Sequence, residues 1–332
     1  NRQLNNLSNT DINSFLDSNS QRVRLADKIS KINLLRHTYT RTRKKEVQDQ
    51  FQVIRQPKAE FITLDIEGPE YDFYRRTSAA IKDYAKEADI PRGFLLSMPQ
   101  RYISSCMVAA AEYWKNSTRE PALDEIDAYD ALGEDSVNDQ IEDRMPLIDY
   151  LKREVIPYVD IDDLERNDSK YNRLIEVLRK ILSEDRKEKI IIFSYFRNTL
   201  HYLQRRLSDE NITSQILMGG MHEDKQSIID RFRDDSSINV LLSSEVASEG
   251  VDLQFCRMLI NYDLPWNPMK VEQRIGRIDR LGQKHDIVTI WNLFHKSTVD
   301  ERIYTRLLDR LKIFERALGG VNDVVGPEIE EL

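Results

Sequence analysis

From about residue 170 to residue 318, short apolar runs alternate with longer stretches whose apolar residues recur every third or fourth position. Few architectures accept that alternation. Leu174, Val177, Leu178, Ile181 and Leu182 fall on one helical face, and Ile190-Ile191-Ile192-Phe193 follows as an unbroken apolar run. A strand with no polar position has no wet side, so it belongs inside a sheet covered on both faces. The pattern then repeats: a helix through Leu200, Leu203 and Leu207, a strand at Ile216-Leu217, and a helix through Ile228, Ile229 and Phe232. Strands at 240–242 and 258–260, a helix around 268–280, a strand at 288–291 and a long amphipathic helix over 299–318 complete the series. The expected fold class is α/β, a parallel sheet with helices on both faces, because strands separated by helices are joined by crossovers. Ligands of such sheets bind beyond the carboxyl ends of the strands.

Residues 1–168 follow a different grammar. Helical patterns are predicted over 22–36, 70–86 and 99–114, with a short strand from Phe61 to Ile66. Residues 119–143 are acidic and poor in large apolar side chains, which predicts a mobile loop. The organisation predicted is a mainly helical region at 1–168, a lobe at 169–320 and a tail at 321–332. The net charge of −8 argues against a uniformly basic binding surface but leaves room for a local basic groove. Cys106 and Cys256 are too far apart for a metal motif, which suggests free thiols in a reducing, cytoplasmic setting and no metal site. No apolar run reaches the roughly 18–20 residues of a membrane helix, so no membrane partner is expected. The chain starts at Asn1 with a polar, amide-rich stretch, as a fragment of a longer protein would.

Glycines are concentrated where the α/β pattern is: only Gly68, Gly93 and Gly133 precede residue 218. Glycine after a strand lets backbone come close to a ligand. The most specific segment is Gln273-Arg274-Ile275-Gly276-Arg277-Ile278-Asp279-Arg280, followed by Leu281-Gly282-Gln283. If the helix runs through it, Gln273, Arg277 and Arg280 share a face, with Gly276 allowing another surface close by. Two guanidinium groups on one face suit the spread negative charge of a transferring phosphoryl group, since each stays charged and offers a planar fork of donors. Elsewhere, Ser243 and Ser244 after one strand, Ser194 and Arg197 after another, and Gly219-Gly220 after a third could follow a phosphate backbone without reading bases.

These landmarks resemble the ordered motifs of superfamily-two helicases. The arginine segment resembles motif six, and its Ile-Asp-Arg-Leu-Gly-Gln ending resembles the Swi/Snf branch. Lys189 to Phe196 resembles motif four, Ser243 to Gln254 motif five, and Asn261 to Pro268 the approach to motif six. Residues 298–303 resemble the lobe's closing helix, and residues 41–47 and 57–64 the stretch leading into it. Glu249 within Ser-Glu-Val-Ala-Ser-Glu-Gly is closer to the RapA-like subgroup. The resemblance implies a C-terminal RecA-like lobe. In it Arg277 and Arg280 are arginine fingers, while Gly250, Asp252, Gln273 and Gly276 border the nucleotide. Ser194, Arg197, Gly219, Gly220, Ser243 and Ser244 contact nucleic acid. Many Swi/Snf proteins carry asparagine where Asp252 stands, and a turn aspartate is the alternative reading there.

The resemblance further implies a double-stranded DNA translocase that uses ATP and Mg2+, both held mainly by a first RecA-like lobe of the same polypeptide. This chain contains no Gly-x-x-x-x-Gly-Lys-Ser/Thr loop, so it is expected to be inactive alone. RNA polymerase and defence-system proteins are the partners compatible with a RapA-like motor. Two alternatives stay open: a strand-separating RNA or DNA helicase lobe, and a non-catalytic scaffold that binds nucleic acid or protein.

Overall fold

The computed structural model describes residues 53–87, 97–116, 147–244, 250–265, 267–280 and 282–318. Of these, Val53–Lys312 belong to one compact unit; Ile313–Gly320 group with a second unit. The helix predicted over 22–36, the acidic segment 119–143 and the tail 321–332 lie outside the described residues.

Six strands form one all-parallel sheet: β1 (Ile54–Ile62), β2 (Ile190–Phe193), β3 (Ser214–Leu217), β4 (Val240–Ser243), β5 (Met258–Asn261) and β6 (Ile287–His295). Their order is β1-β6-β5-β2-β4-β3. Nine helices carry the labels α1 (Pro69–Glu87), α2 (Ser97–Ser105), α3 (Met107–Asn116), α4 (Ile161–Arg166), α5 (Ser169–Glu184), α6 (Arg197–Asp209), α7 (Lys225–Asp234), α8 (Pro268–Ile275) and α9 (Val299–Leu318). Residues 147–154 are also helical. None of the described helices is long and apolar enough to cross a membrane.

The apolar run of β2 shows why the sheet must be covered twice. Successive side chains point to opposite faces. Ile190 and Ile192 enter one core with Val240, Leu242, Ile260 and Trp291. Ile191 and Phe193 enter another with Leu241, Leu259, Val288 and Ile290. The first core is closed by α1, α3, α5 and α6 through residues such as Phe73, Trp114, Leu178 and Leu203. The second is closed by α7, α8 and α9 through Phe232, Val271, Ile275 and Leu307. Full burial of an aliphatic side chain contributes roughly 1.5–3 kcal/mol, so the two faces together account for most of the drive to this topology.

Sequence expectations change here. The strand predicted over 61–66 runs from Ile54 to Ile62 and pairs in parallel with β6, from Ile54 against Ile287 to Ile62 against His295. Its alternating apolar and polar residues mark an edge strand, half-buried along most of its length. Phe73, Ile103 and Trp114 from the mainly helical region share one core with Leu174 and Ile192 of the lobe. The predicted 99–114 helix is two, α2 and α3, meeting at Cys106.

A buried polar cluster fastens the early helices to the lobe. Asp168 caps α5, accepting from Tyr171 N–H at 2.8 Å, and accepts from the Tyr202 hydroxyl at 2.7 Å. Lys170 Nζ donates to Ser104 O at 2.8 Å and to Asp300 Oδ2 at 3.0 Å. Glu70 accepts from Ser169 N–H at 3.2 Å and lies 3.9 Å from His295 Nε2. Burial, then the nearby Asp168 carboxylate, push Glu70 up to about 8. Burial, then Lys170, hold His295 well below the usual imidazole range. The Glu70–His295 contact is therefore between neutral groups near pH 7, despite ion-pair geometry.

Candidate functional site

Parallel pairing brings the carboxyl ends of β2, β3, β4 and β5 to one edge of the sheet, with Phe193 level with Ser243 and Asn261, and Leu217 level with Ser243. The candidate site residues follow those ends.

The arginine segment begins on α8. Asn267 is its N-cap and accepts from Met269 N–H at 3.0 Å, with Pro268 at the first helical position, where its missing N–H costs nothing. The helix is shorter than predicted. It ends at Ile275 with Gly276 as its C-cap, and Arg277 to Arg280 continue as turns. Backbone bonds from Arg277 N–H to Arg274 O and from Ile278 N–H to Ile275 O tighten the chain there. The single helical face expected for Gln273, Arg277 and Arg280 is thus a helix end plus a turn. Gln273 and Arg280 are exposed, and Gly276 and Arg277 are half-buried.

Arg274, to which the sequence reading gave no role, is the buried arginine of this segment, at 1% exposure. Its Nη1 donates to Asn261 Oδ1 at 2.9 Å and to Asp263 O at 2.8 Å, and its guanidinium lies over the Phe193 ring at 5.3 Å. Asn261 in turn donates to Asn292 Oδ1 at 2.8 Å across β5 and β6. Arg274 therefore anchors α8 to the strand ends. A signal was present: Arg274 is spaced with Val271, Ile275 and Ile278 rather than with the exposed residues.

Motif-five residues abut this turn. Leu253 N–H donates to Arg277 O at 3.2 Å. A Cβ at Gly282, where φ is +100°, would meet Gln254 Oε1 at 2.6 Å, so only glycine allows the two loops to touch as they do. Gln283 Nε2 donates to Cys256 O and to Ile278 O, each at 2.8 Å. Gly282 and Gln283 thus work as a latch between the loop before β5 and the arginine turn. Gly250 is exposed with φ +79° and open space beside it. Asp252 is exposed, and its Oδ1 accepts from Gln254 N–H at 3.2 Å, the local turn bond that was its alternative reading. The structure therefore ties the loop that carries Asp252 to the arginine turn through Leu253 and Gln254.

The predicted nucleic-acid residues divide. Arg197 Nη2 donates to Gly219 O at 2.7 Å, which joins the start of α6 to the Gly219-Gly220 loop, where Gly220 is exposed with φ +74°. The three serines are placed otherwise. Ser194, Ser243 and Ser244 are at most 1% exposed. Ser194 Oγ donates to Asp263 Oδ2 at 2.7 Å, and Ser243 Oγ to Ser244 O at 3.0 Å. Ser194 N–H bonds Ser243 O, and Ser244 N–H bonds Leu217 O. Neither the hydroxyls of Ser194 and Ser243 nor these amides are presented to a phosphate in this arrangement. Asp263 is the node that Ser194 serves, accepting also from Ser105 Oγ at 2.7 Å and Tyr195 N–H at 2.9 Å. His222 is exposed in the loop after Gly220, and Trp266 and the basic run at 41–45 lie outside the described residues.

Comparison with known proteins agrees with this architecture. The profile of the helicase conserved C-terminal domain matches residues 169–282. The chain is 40% identical over 188 residues to the uncharacterized ATP-dependent helicase YqhH of Bacillus subtilis, covering 56% of this chain and 32% of that protein. It is 30% identical over 239 residues to the RNA polymerase-associated protein RapA of Vibrio campbellii, covering 68% of this chain and 20% of RapA. The chain thus spans a third or less of the length of these relatives. Among solved structures, the C-terminal part of the Fun30 ATPase domain superposes with a TM-score of 0.52 at 20% identity, over 76% of this chain and 88% of that one. Residues 169–282 therefore match the helicase conserved C-terminal domain, and the chain around them is folded as a RecA-like lobe.

Proposed function

We propose that this chain is the second motor lobe of an ATP-dependent translocase on double-stranded DNA, whose Arg277 and Arg280 reach the phosphates of ATP held by a first RecA-like lobe. The observation carrying this reading is the turn after α8. It leaves Arg280 exposed and Arg277 half-buried, with Arg277 O accepting from Leu253 N–H of the loop that carries Asp252. An arginine finger is worth on the order of 10³–10⁵ in rate, because it meets charge that develops on the transferring phosphoryl group. Mg2+, like ATP, is assigned in this reading to the first lobe. Arginines that contact ATP only when two lobes close favour the closed state, and hydrolysis removes that preference. This chain alone has no phosphate cradle and hydrolyses no ATP.

Contact with DNA falls to the Arg197–Gly219–Gly220 corner, where exposed backbone and a guanidinium lie together. Such contacts follow phosphates and give no sequence preference. The named association of RapA with RNA polymerase makes RNA polymerase the first protein partner to test, ahead of defence-system proteins. The substrate reading is tested with the full-length protein on two substrates. A translocase displaces a third strand from a DNA triplex in an ATP-dependent way and leaves a forked duplex paired. Unwinding of the fork at a comparable rate would favour the strand-separating helicase instead.

A further inference from the structure

Glu272 and Asp279 flank the segment that carries Arg277, and Asp279 immediately precedes Arg280. Carboxylates so close to two phosphate-seeking guanidinium groups pose a physical problem. Unless they are engaged elsewhere, they compete with phosphate for the same donors. The structure engages both from a distant part of the chain. Arg55 Nε donates to Asp279 Oδ2 at 2.6 Å, and its Nη1 donates to Glu272 Oε1 at 2.8 Å. Arg55 stands on β1, more than 200 residues away in sequence (separations of 217 and 224). Its side chain is 16% exposed, that of Glu272 23% and that of Asp279 0%, so water competes little for these bonds. Arg280, by contrast, makes no side-chain ion pair among the described residues.

We infer that Arg55 is a positioning residue: it grips both ends of the Glu272–Asp279 segment and holds the arginine turn in the orientation that phosphate requires. The geometry demands a planar fork. One guanidinium reaches two carboxylates that lie seven residues apart, on the helix and on the turn beyond it, whereas an ammonium acts as a single point charge. The clamp also explains why β1 lies at the sheet edge beside β6. From there Arg55 sits level with Val288 and reaches across to α8, and Ile54 N–H bonds Asp286 O at 2.7 Å just before β6 begins. Arg55 touches no phosphate in this scheme and acts only through the turn.

The inference rests on Arg277 and Arg280 acting as fingers, so its test carries Arg277→Ala as a reference. In the full-length protein with DNA present, steady-state ATP turnover is measured for Arg55→Lys, Arg55→Met and Glu272→Gln, together with thermal midpoints and DNA affinity. The expected result is a graded loss of kcat: several-fold for Glu272→Gln and Arg55→Lys, and at least ten-fold for Arg55→Met. KM for ATP and DNA affinity should stay within about three-fold. Removing Arg55 takes a charged donor away from the buried Asp279, so Arg55→Met can lower the folded fraction. Arg55→Lys and Glu272→Gln, which keep a cation or remove only the less buried carboxylate, then decide the matter. If both keep wild-type kcat while Arg277→Ala is inactive, the clamp is overturned and the finger reading stands. If Arg277→Ala itself retains turnover, both fall together.

Discussion

Arg274 and Arg280 lie six positions apart and have opposite physical roles. Arg274 is buried against Phe193 and supplies donors to Asn261 and Asp263, whereas Arg280 is exposed. Arg274→Met should therefore lower unfolding free energy by about 2–4 kcal/mol, because acceptors desolvated around it lose their donors. Arg280→Ala should change it by no more than about 0.5 kcal/mol, as surface substitutions usually do. Urea unfolding of the two variants measures the contrast, and equal destabilisation would contradict it. The arginine-rich segment itself was legible from residue order alone. Which arginine goes inside was not, because that depends on where α8 stops. The serines were misplaced for a related reason. A hydroxyl at a strand end reads as a phosphate donor, but Asp263 arrives from the next strand's loop and takes the Ser194 hydroxyl, a long-range pairing that spacing does not display.

At the scale of elements, β2 to β6 and the helices between them were readable because each strand is apolar on both faces and each helix on one. β1 was harder: its run of mixed residues is what an edge strand looks like, and its partner β6 is over 200 residues away. The junction of α1 with α5 and β6 gives a prediction in pH. Glu70 ordinarily titrates near 4.5 and in the fold near 8, through burial first and Asp168 second, with Lys170 and Ser169 opposing. Below about pH 4.5 both states hold the proton. Between there and about pH 8 the folded state keeps a proton that the unfolded state releases, so stability falls as pH rises. The His295 ring facing Glu70 is itself held well below the usual imidazole range, by burial first and Lys170 second. Glu70→Gln should thus match the parent near pH 5 and exceed it above pH 8, by on the order of 2 kcal/mol. A difference independent of pH in chemical denaturation would contradict this.

At the scale of the whole fold, two cores on the two faces of one parallel sheet leave the carboxyl edge to carry the motifs, and the loops there are tied to one another as well as to the second core through Val251, Leu253 and Ile278. Gly282 against Gln254, Leu253 against Arg277 and Arg55 across Glu272 and Asp279 make the edge one linked surface. Such a surface suits a lobe that must meet another lobe as a rigid face. The direct test is single-turnover ATP hydrolysis by the full-length protein on double-stranded DNA, comparing wild type with Arg277→Ala. The account predicts a rate lower by at least 10³-fold with DNA affinity within a few-fold, in line with the loss of a finger. Hydrolysis by Arg277→Ala within ten-fold of wild type would contradict it.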